Sequence, residues 1–223
     1  ETVKSTETGL KSQWFDNRVR ANFAVFYEDY YGYQASANLP ALCVDKEGNP
    51  LPPPYNNPCG EYVNAADAVG KGFEAEFELH PLDGLMIDAS YSYLDLKFIR
   101  SLSPAIVPGQ GLPDIGKNKA SIGIQYEAPL AEHGSLTPRL DVAYTPAACG
   151  DLLCTPDVTT QGYTLLDGRI TYWSPGKSWS LALQGTNLTN KLYYITKTDT
   201  GAGYLDGQIG MPREWALTLH KQF

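Results

Sequence analysis

The sequence is short of positive charge, thiols, methionine and long apolar runs. Lys and Arg number 17 against 25 Asp and Glu, a formal net charge of -8 over 223 residues. That sign opposes a non-specific grip on nucleic-acid phosphates, so no nucleic-acid partner is expected. No run of about 18 consecutive apolar residues occurs, which excludes a transmembrane helix and a secretory h-region but leaves membrane β-barrels open. The three histidines, His80, His133 and His220, lie on separate segments, and no cysteine pair is spaced C-x-x-C. Zinc-site spacing is therefore lacking. No Ser/His/Asp or Cys/His arrangement is readable either. No catalytic residue, metal site or cofactor follows from this chain, and enzymatic activity is not expected. The sequence opens at Glu1 rather than Met, which fits a processed mature start or an excised fragment.

What is abundant is strand-forming. Aromatics reach 12%, with 15 Tyr, beside 21 Gly and 16 Pro, a mixture given by many short strands joined by Gly/Pro turns. Apolar residues alternate with polar ones along the chain, the period of a strand. Residues 72 to 80 set Phe73, Ala75, Phe77 and Leu79 against Glu74, Glu76 and Glu78. The same repeat reads over 18–31, 85–98, 120–127, 139–145, 163–173, 178–186 and 212–223, and more weakly over 2–14. About nine strands result, most near the length that crosses a bilayer at a tilt.

The connections alternate in length. Short ones fall at Asp16-Asn17, 81–84, 131–135 and 174–177; long ones, rich in Pro, Gly, Asn and Asp, fall near 38–61, 99–116, 146–161 and 195–210. Tight turns on one side and long loops on the other are how up-and-down transmembrane barrels are built. Alternation alone equally suits a soluble antiparallel sheet with one wet face. Aromatic placement favours the membrane. Trp14, Phe15, Trp173, Trp179 and Phe223 fall at the short-turn end, and Tyr30, Tyr31, Tyr33, Tyr93, Tyr193 and Tyr194 near the long loops, which suggests two interfacial girdles. Among the apolar-face positions only Lys221 is ionisable, close enough to the terminus to snorkel. An odd number of antiparallel strands does not close a barrel, so the chain reads as a fragment lacking an N-terminal part.

The segments GLKSQWFDNRVRANFAVFYEDYYGYQ, YVNAADAVGKGFEAEFELHP, SYSYLD, NLTNKLYY and GMPREWALTLHKQF, in this order, resemble the C-terminal barrel half of TonB-dependent outer-membrane receptors. Asn187 to Tyr193 is similar to the family's penultimate-strand signature, and Pro212-Arg213 followed by alternation to Phe223 is similar to its last strand. The resemblance implies an all-β antiparallel transmembrane barrel of roughly 22 strands, of which residues 1–223 are the C-terminal part without the plug. It implies location in the outer membrane of a Gram-negative bacterium, contact with outer-membrane lipid, and energy coupling to the TonB complex through the missing N-terminal part. Active import of a scarce nutrient complex follows, most commonly a ferric siderophore, with cobalamin or a glycan behind it. An open pore without a plug and a soluble β-sandwich adhesin or lectin domain are the competing classes. Trp215, Leu217, Leu219 and Phe223 resemble the signal read by the barrel assembly machinery, from which Lys221 departs; a last strand that merely packs its aromatic is the alternative.

Four cysteines form two within-loop pairs, Cys43 with Cys59 and Cys149 with Cys154, read most economically as loop disulfides. A four-thiol metal site is the alternative. Glu74, Glu76 and Glu78 lie about 7 Å apart along one face, as paired carboxylates for acid/base work or as lumen lining, the reading adopted here. Asp167 with Arg169, and Arg139 with Asp141, read as lumen charges that pair across strands. Residues 201–207, GAGYLDG, miss the dinucleotide-binding glycine spacing by one position and read as a flexible loop. Tyr30, Tyr33, Tyr55 and Arg100 are candidate ligand contacts, because aromatic and cationic groups suit anionic iron chelates; interfacial anchoring or solvation, the commoner role of loop Tyr and Arg, is the alternative.

Overall fold

The computed structural model describes residues 1–38, 44–51, 60–102, 106–200 and 204–221. The strands are β1 (Thr2–Trp14), β2 (Val19–Asn38), β3 (Gly60–Leu79), β4 (Leu85–Ser101), β5 (Asn118–Tyr126), the short β6 (Ala128–Pro129), β7 (Ser135–Thr145), β8 (Tyr163–Trp173), β9 (Trp179–Thr186), β10 (Tyr194–Asp199), β11 (Leu205–Ile209) and β12 (Glu214–Lys221). One antiparallel sheet runs β1-β2-β3-β4-β5-β7-β8-β9-β12, with β6 beside β7, and β10-β11 form a separate hairpin. The nine strands of the continuous path are those the alternation predicts. This is an up-and-down meander forming part of a barrel.

Two features depart from the sequence reading. Within the stretch read as a long loop at 195–210, β10 and β11 pair as a hairpin, with Leu205, Asp206 and Gly207 inside β11, while 201–203 of the glycine-rich segment lie outside the described residues. The Tyr, Ile and Thr residues of the two strands favour strand over the loop that the glycines suggest. β2 and β3 also run for 20 residues each, about 66 Å of extended chain, roughly twice what a crossing needs. Both continue past the membrane as a hairpin extension.

Register explains the faces. Across β2, β3 and β4 the outward rows read Val19-Leu79-Ile87, Ala21-Phe77-Ala89, Phe23-Ala75-Tyr91 and Val25-Phe73-Tyr93. The first three continue onto Ile124, Ile122 and Ala120 of β5. These side chains are exposed in large part, Phe77 at 49% and Ile122 at 51%, as a lipid-facing surface requires. Trp14, Tyr126, Tyr172 and Trp179 lie outward near the short-turn end. Trp173, expected in that girdle, instead shares the opposite face with Arg169 and Thr171, because its register partners are Ser135 and Ser180. Tyr30 and Tyr33 likewise turn inward, as described below.

The lumen face is polar and cross-linked. Asn22 donates to Glu76 at 3.2 Å, and Arg20 pairs with Glu78 at 3.4 Å, so these carboxylates line the wet side as expected. Arg139 pairs with Asp141 of its own strand at 2.6 Å and reaches across β5 to Asp88 at 2.8 Å. Gly123 makes that reach possible, since a Cβ there would stand 2.3 Å from the guanidinium. Asp167 and Arg169 do not pair with each other. Asp167 accepts the Asn187 N–H at 2.7 Å, and Arg169 donates to Thr171 at 3.1 Å.

The short turns obey local chemistry. Asp16 and Asn17 both have positive φ, 54° and 66°, the primed turn that matches strand twist and tolerates Asp and Asn. Asn187 ends β9 with a knot. Its amide donates to the carbonyls of Lys191 and Met211 at 2.9 and 3.0 Å and accepts the Lys191 N–H at 2.8 Å. Asn190 then accepts the Arg213 N–H at 3.0 Å. Asn187 and Asn190 hold positive φ, 47° and 51°, a region asparagine enters more readily than most residues. The resemblance motif is thus a hydrogen-bonded joint between β9 and β12.

Asn187 is 3% exposed, and each buried partner left unsatisfied costs about 1–3 kcal/mol. Asn187→Ala is therefore expected to lower the temperature at which the folded band disappears in semi-native gel electrophoresis, with a smaller drop for Asn190→Ala. An unchanged transition in both variants would show that the joint contributes nothing to stability.

Candidate functional site

The lumen wall changes character toward the long-loop end. Below, the inward positions of β2, β3 and β4 are Asn22, Glu74, Glu76, Ser90 and Ser92; above, they become Tyr30, Ala66, Ala68, Leu96 and Phe98. Small residues on β3 create the space. Ala65, Ala66 and Ala68 are buried at 4% exposure or less, and Phe98 lies over them at 1%. Tyr33 packs edge-on against Phe98 with ring centroids 5.2 Å apart, and Tyr30 follows at 6.2 Å from Tyr33. Such pairs contribute about 0.5–1.5 kcal/mol beyond area burial. Ile106, Leu112 and Leu152, from two different loops, complete the cluster.

Asp67 pins this mouth. The β2–β3 register shifts between Tyr30 and Gln34, and the β3–β4 register shifts between Asp67 and Ala68. Gly32, at φ 71°, sits in the first irregularity and donates its N–H to Asp67 at 2.9 Å. Arg100 closes the other side through Nε at 2.8 Å and Nη2 at 2.7 Å. One carboxylate, 7% exposed, thereby fixes both bulges. The Gly32 N–H foremost, and then the Arg100 guanidinium, hold its pKa below the ordinary 3.8.

The loops are fastened to one another. The Cys149–Cys154 disulfide closes a six-residue loop, within which Asp151 accepts the Thr155 N–H at 2.9 Å and its hydroxyl at 2.5 Å. These hydrogen bonds lower the Asp151 pKa, the Thr155 hydroxyl contributing most. Cys149 O accepts the Asp114 N–H at 2.7 Å, and Asp114 accepts the Thr196 hydroxyl at 3.3 Å. The β4–β5 loop, the β7–β8 loop and the β10 strand are thus joined.

Tyr30 and Tyr33, expected as ligand contacts, meet in one aromatic cluster. The Tyr30 hydroxyl donates to Glu1 at 2.9 Å. Arg100 lies beside them on the Asp67 pin, with its side chain 68% exposed. Tyr55, Cys43, Cys59 and Phe223 fall outside the described residues. Trp215, Leu217 and Leu219 share the outward face of β12, each at least 62% exposed. Sequence reading missed Phe98 and Asp67. The signal for Phe98 was the reversal along β4, where the inward positions turn from Ser90 and Ser92 to Leu94, Leu96 and Phe98. Among the described residues, no group of three or more His, Cys, Asp or Glu is placed to hold a metal ion. The mouth can bind by stacking, hydrogen bonding and one exposed cation.

A carboxyl with a lowered folded-state pKa stabilises the fold above its unfolded value of 3.8 and loses that contribution as pH falls through the lower folded value. Amide exchange at Gly32 is therefore expected to stay slow from neutral pH to 3.8 and to quicken below it. Asp67→Ala should quicken it already at pH 7, and Asp67→Asn should remove the acid step. Identical exchange in wild type and Asp67→Ala at pH 7 would contradict the pin.

The comparisons with known proteins agree with this architecture. The TonB-dependent receptor-like β-barrel family model matches residues 1–188. The ferric-pyoverdine M114 receptor PbuA of Pseudomonas sp. (strain M114) is 26% identical over 235 residues, covering 99% of this chain and 24% of that protein. The chain thus spans about a quarter of the length of this curated relative. Two solved structures share the fold. The ferric yersiniabactin uptake receptor FyuA of Yersinia pestis superposes with a TM-score of 0.74 at 17% identity, over 99% of this chain and 30% of its own. The ferric preacinetobactin receptor BauA of Acinetobacter baumannii does so with a TM-score of 0.71 at 19% identity, over 97% and 29%. All three are named as receptors, one of them for uptake. With its family model, its meander and its lipid-facing rows in agreement, the chain belongs to the TonB-dependent receptor β-barrel family of the Gram-negative outer membrane.

Proposed function

We propose that this chain contributes barrel wall and ligand-binding loops to a receptor that imports a ferric siderophore with energy supplied through TonB. The observation that carries the reading is the aromatic mouth of Tyr30, Tyr33 and Phe98, set above a polar lumen and under fastened loops. Relatives named for ferric pyoverdine, yersiniabactin and preacinetobactin support the choice of cargo. Chelate rings would stack on the tyrosines, Arg100 would meet the anionic charge, and Tyr55 would join them. Assembly of the barrel would use the outward Trp215, Leu217 and Leu219 together with Phe223.

Radioactive iron uptake by cells expressing the protein as its gene encodes it tests the reading. Uptake of ferric siderophore is expected to depend on this gene and to stop when TonB is deleted. A charge-assisted hydrogen bond contributes about 1.5–3 kcal/mol, so Arg100→Gln should weaken ligand binding about tenfold or more. Uptake that persists without TonB would replace active import with passive permeation.

A further inference from the structure

The outward face carries a second polarity reversal, opposite in sense to that of the lumen. Immediately above the row Val25-Phe73-Tyr93, the outward positions become Tyr27, Lys71 and Asp95, and the next row brings Asp29, Val69 and Lys97. Asp95 is nearly covered, its side chain 10% exposed, and it holds two ammonium groups, Lys97 and Lys117, each at 3.0 Å. Both lysine side chains remain about half exposed, at 45% and 55%. Lys71 is the cross-strand partner of Asp95 and is exposed. Directly beneath lies the aromatic belt, with Tyr91 donating to Asn118 at 2.7 Å and Tyr93 stacked on Phe73.

Counting Asp29 of the next row and its cross-strand partner Lys4, four lysines (Lys4, Lys71, Lys97 and Lys117) face two carboxylates on this patch, an excess of two positive charges that matches the charge of about -1.5 to -2 on a phosphate monoester. The buried carboxylate fixes Lys97 and Lys117 in advance, so less side-chain freedom is lost on binding. The level is that of the headgroups, above the apolar rows and their tyrosines, where each lysine contributes about 1 kcal/mol toward an anionic lipid surface. We propose that Lys71, Lys97 and Lys117 form a docking site for the phosphate of a lipid headgroup in the outer leaflet, its acyl chains lying along the Phe73 and Tyr91 face. The proposal rests on the membrane-spanning reading of the sheet and not on the imported cargo.

The test uses the whole protein in zwitterionic detergent, with bisphosphorylated lipid A as probe and bound lipid read by native mass spectrometry. Lys71→Gln/Lys97→Gln/Lys117→Gln is expected to reduce bound lipid about tenfold or more. Lys119→Gln, on the lumen face opposite Ser92, should leave it unchanged. Dephosphorylated lipid A should bind no better to wild type than to the triple variant, and wild-type binding should fall as salt is raised. Equal binding by the triple variant, equal loss in Lys119→Gln, indifference to dephosphorylation, or competition by inorganic phosphate at the same concentration would each overturn the proposal. If the triple variant does not fold, the salt and dephosphorylation results on wild type decide. Siderophore binding is measured on the same preparations, so a receptor that binds lipid but no iron complex refutes the import reading and leaves this one standing.

Discussion

Cross-strand register is the constraint on which everything else in this molecule depends. Inside a bilayer every backbone N–H and C=O must be satisfied by a neighbouring strand, so pairing is obligatory, and alternation then commits each side chain to lipid or to lumen. A slip of one residue in β3 would turn Glu74, Glu76 and Glu78 into hydrocarbon and Phe73 and Phe77 into water. Charge at the bilayer midplane costs on the order of a few kcal/mol per residue, which makes the observed register the only tolerable one. The Arg139 bridge to Asp88 and Asp141 adds a specific lock, since it spans three strands only while Gly123 stands between them.

Two reversals of polarity mark the same height on the two faces of the sheet. Outside, apolar rows give way to Lys71 and Asp95; inside, polar rows give way to Leu96 and Phe98. The physical cause is a change of surroundings. Within the membrane the outside is lipid and the inside is water, whereas above it the outside is headgroup and water and the inside is packed loop. Strands β2 and β3 are long enough to experience both environments, and their composition follows.

The crossing strands were legible because a bilayer demands a strict two-residue alternation, and Phe73 to Leu79 display it without exception. The sorted loops were legible for a similar reason, since Asp16-Asn17 and Pro81 to Gly84 are turn-forming residues. Above the membrane the rule relaxes. The β10–β11 hairpin carries Gly207 and Asp206, which weaken any strand signal, and it is held by its own ladder and by the Thr196 hydroxyl on Asp114. Position along the chain suggests the girdle for Trp173, whereas its face is set by parity with Arg169 and Thr171. At the candidate site, tyrosine chemistry pointed to Tyr30 and Tyr33. Asp67 carried no local sequence signal, because its partners Gly32 and Arg100 are brought to it by two strand bulges.

The hydrogen-bonded joint at Asn187 has a consequence for how the protein can change over time. Because its side-chain amide ties together the carbonyls of Lys191 and Met211, the geometry of β9 and β12 is fixed below the point where β10 and β11 begin. Insertions, deletions or wholesale replacement within the β10–β11 hairpin then leave the membrane-crossing register undisturbed. The joint works as a mechanical insulator, allowing the exposed hairpin to diversify while the wall beneath it stays the same.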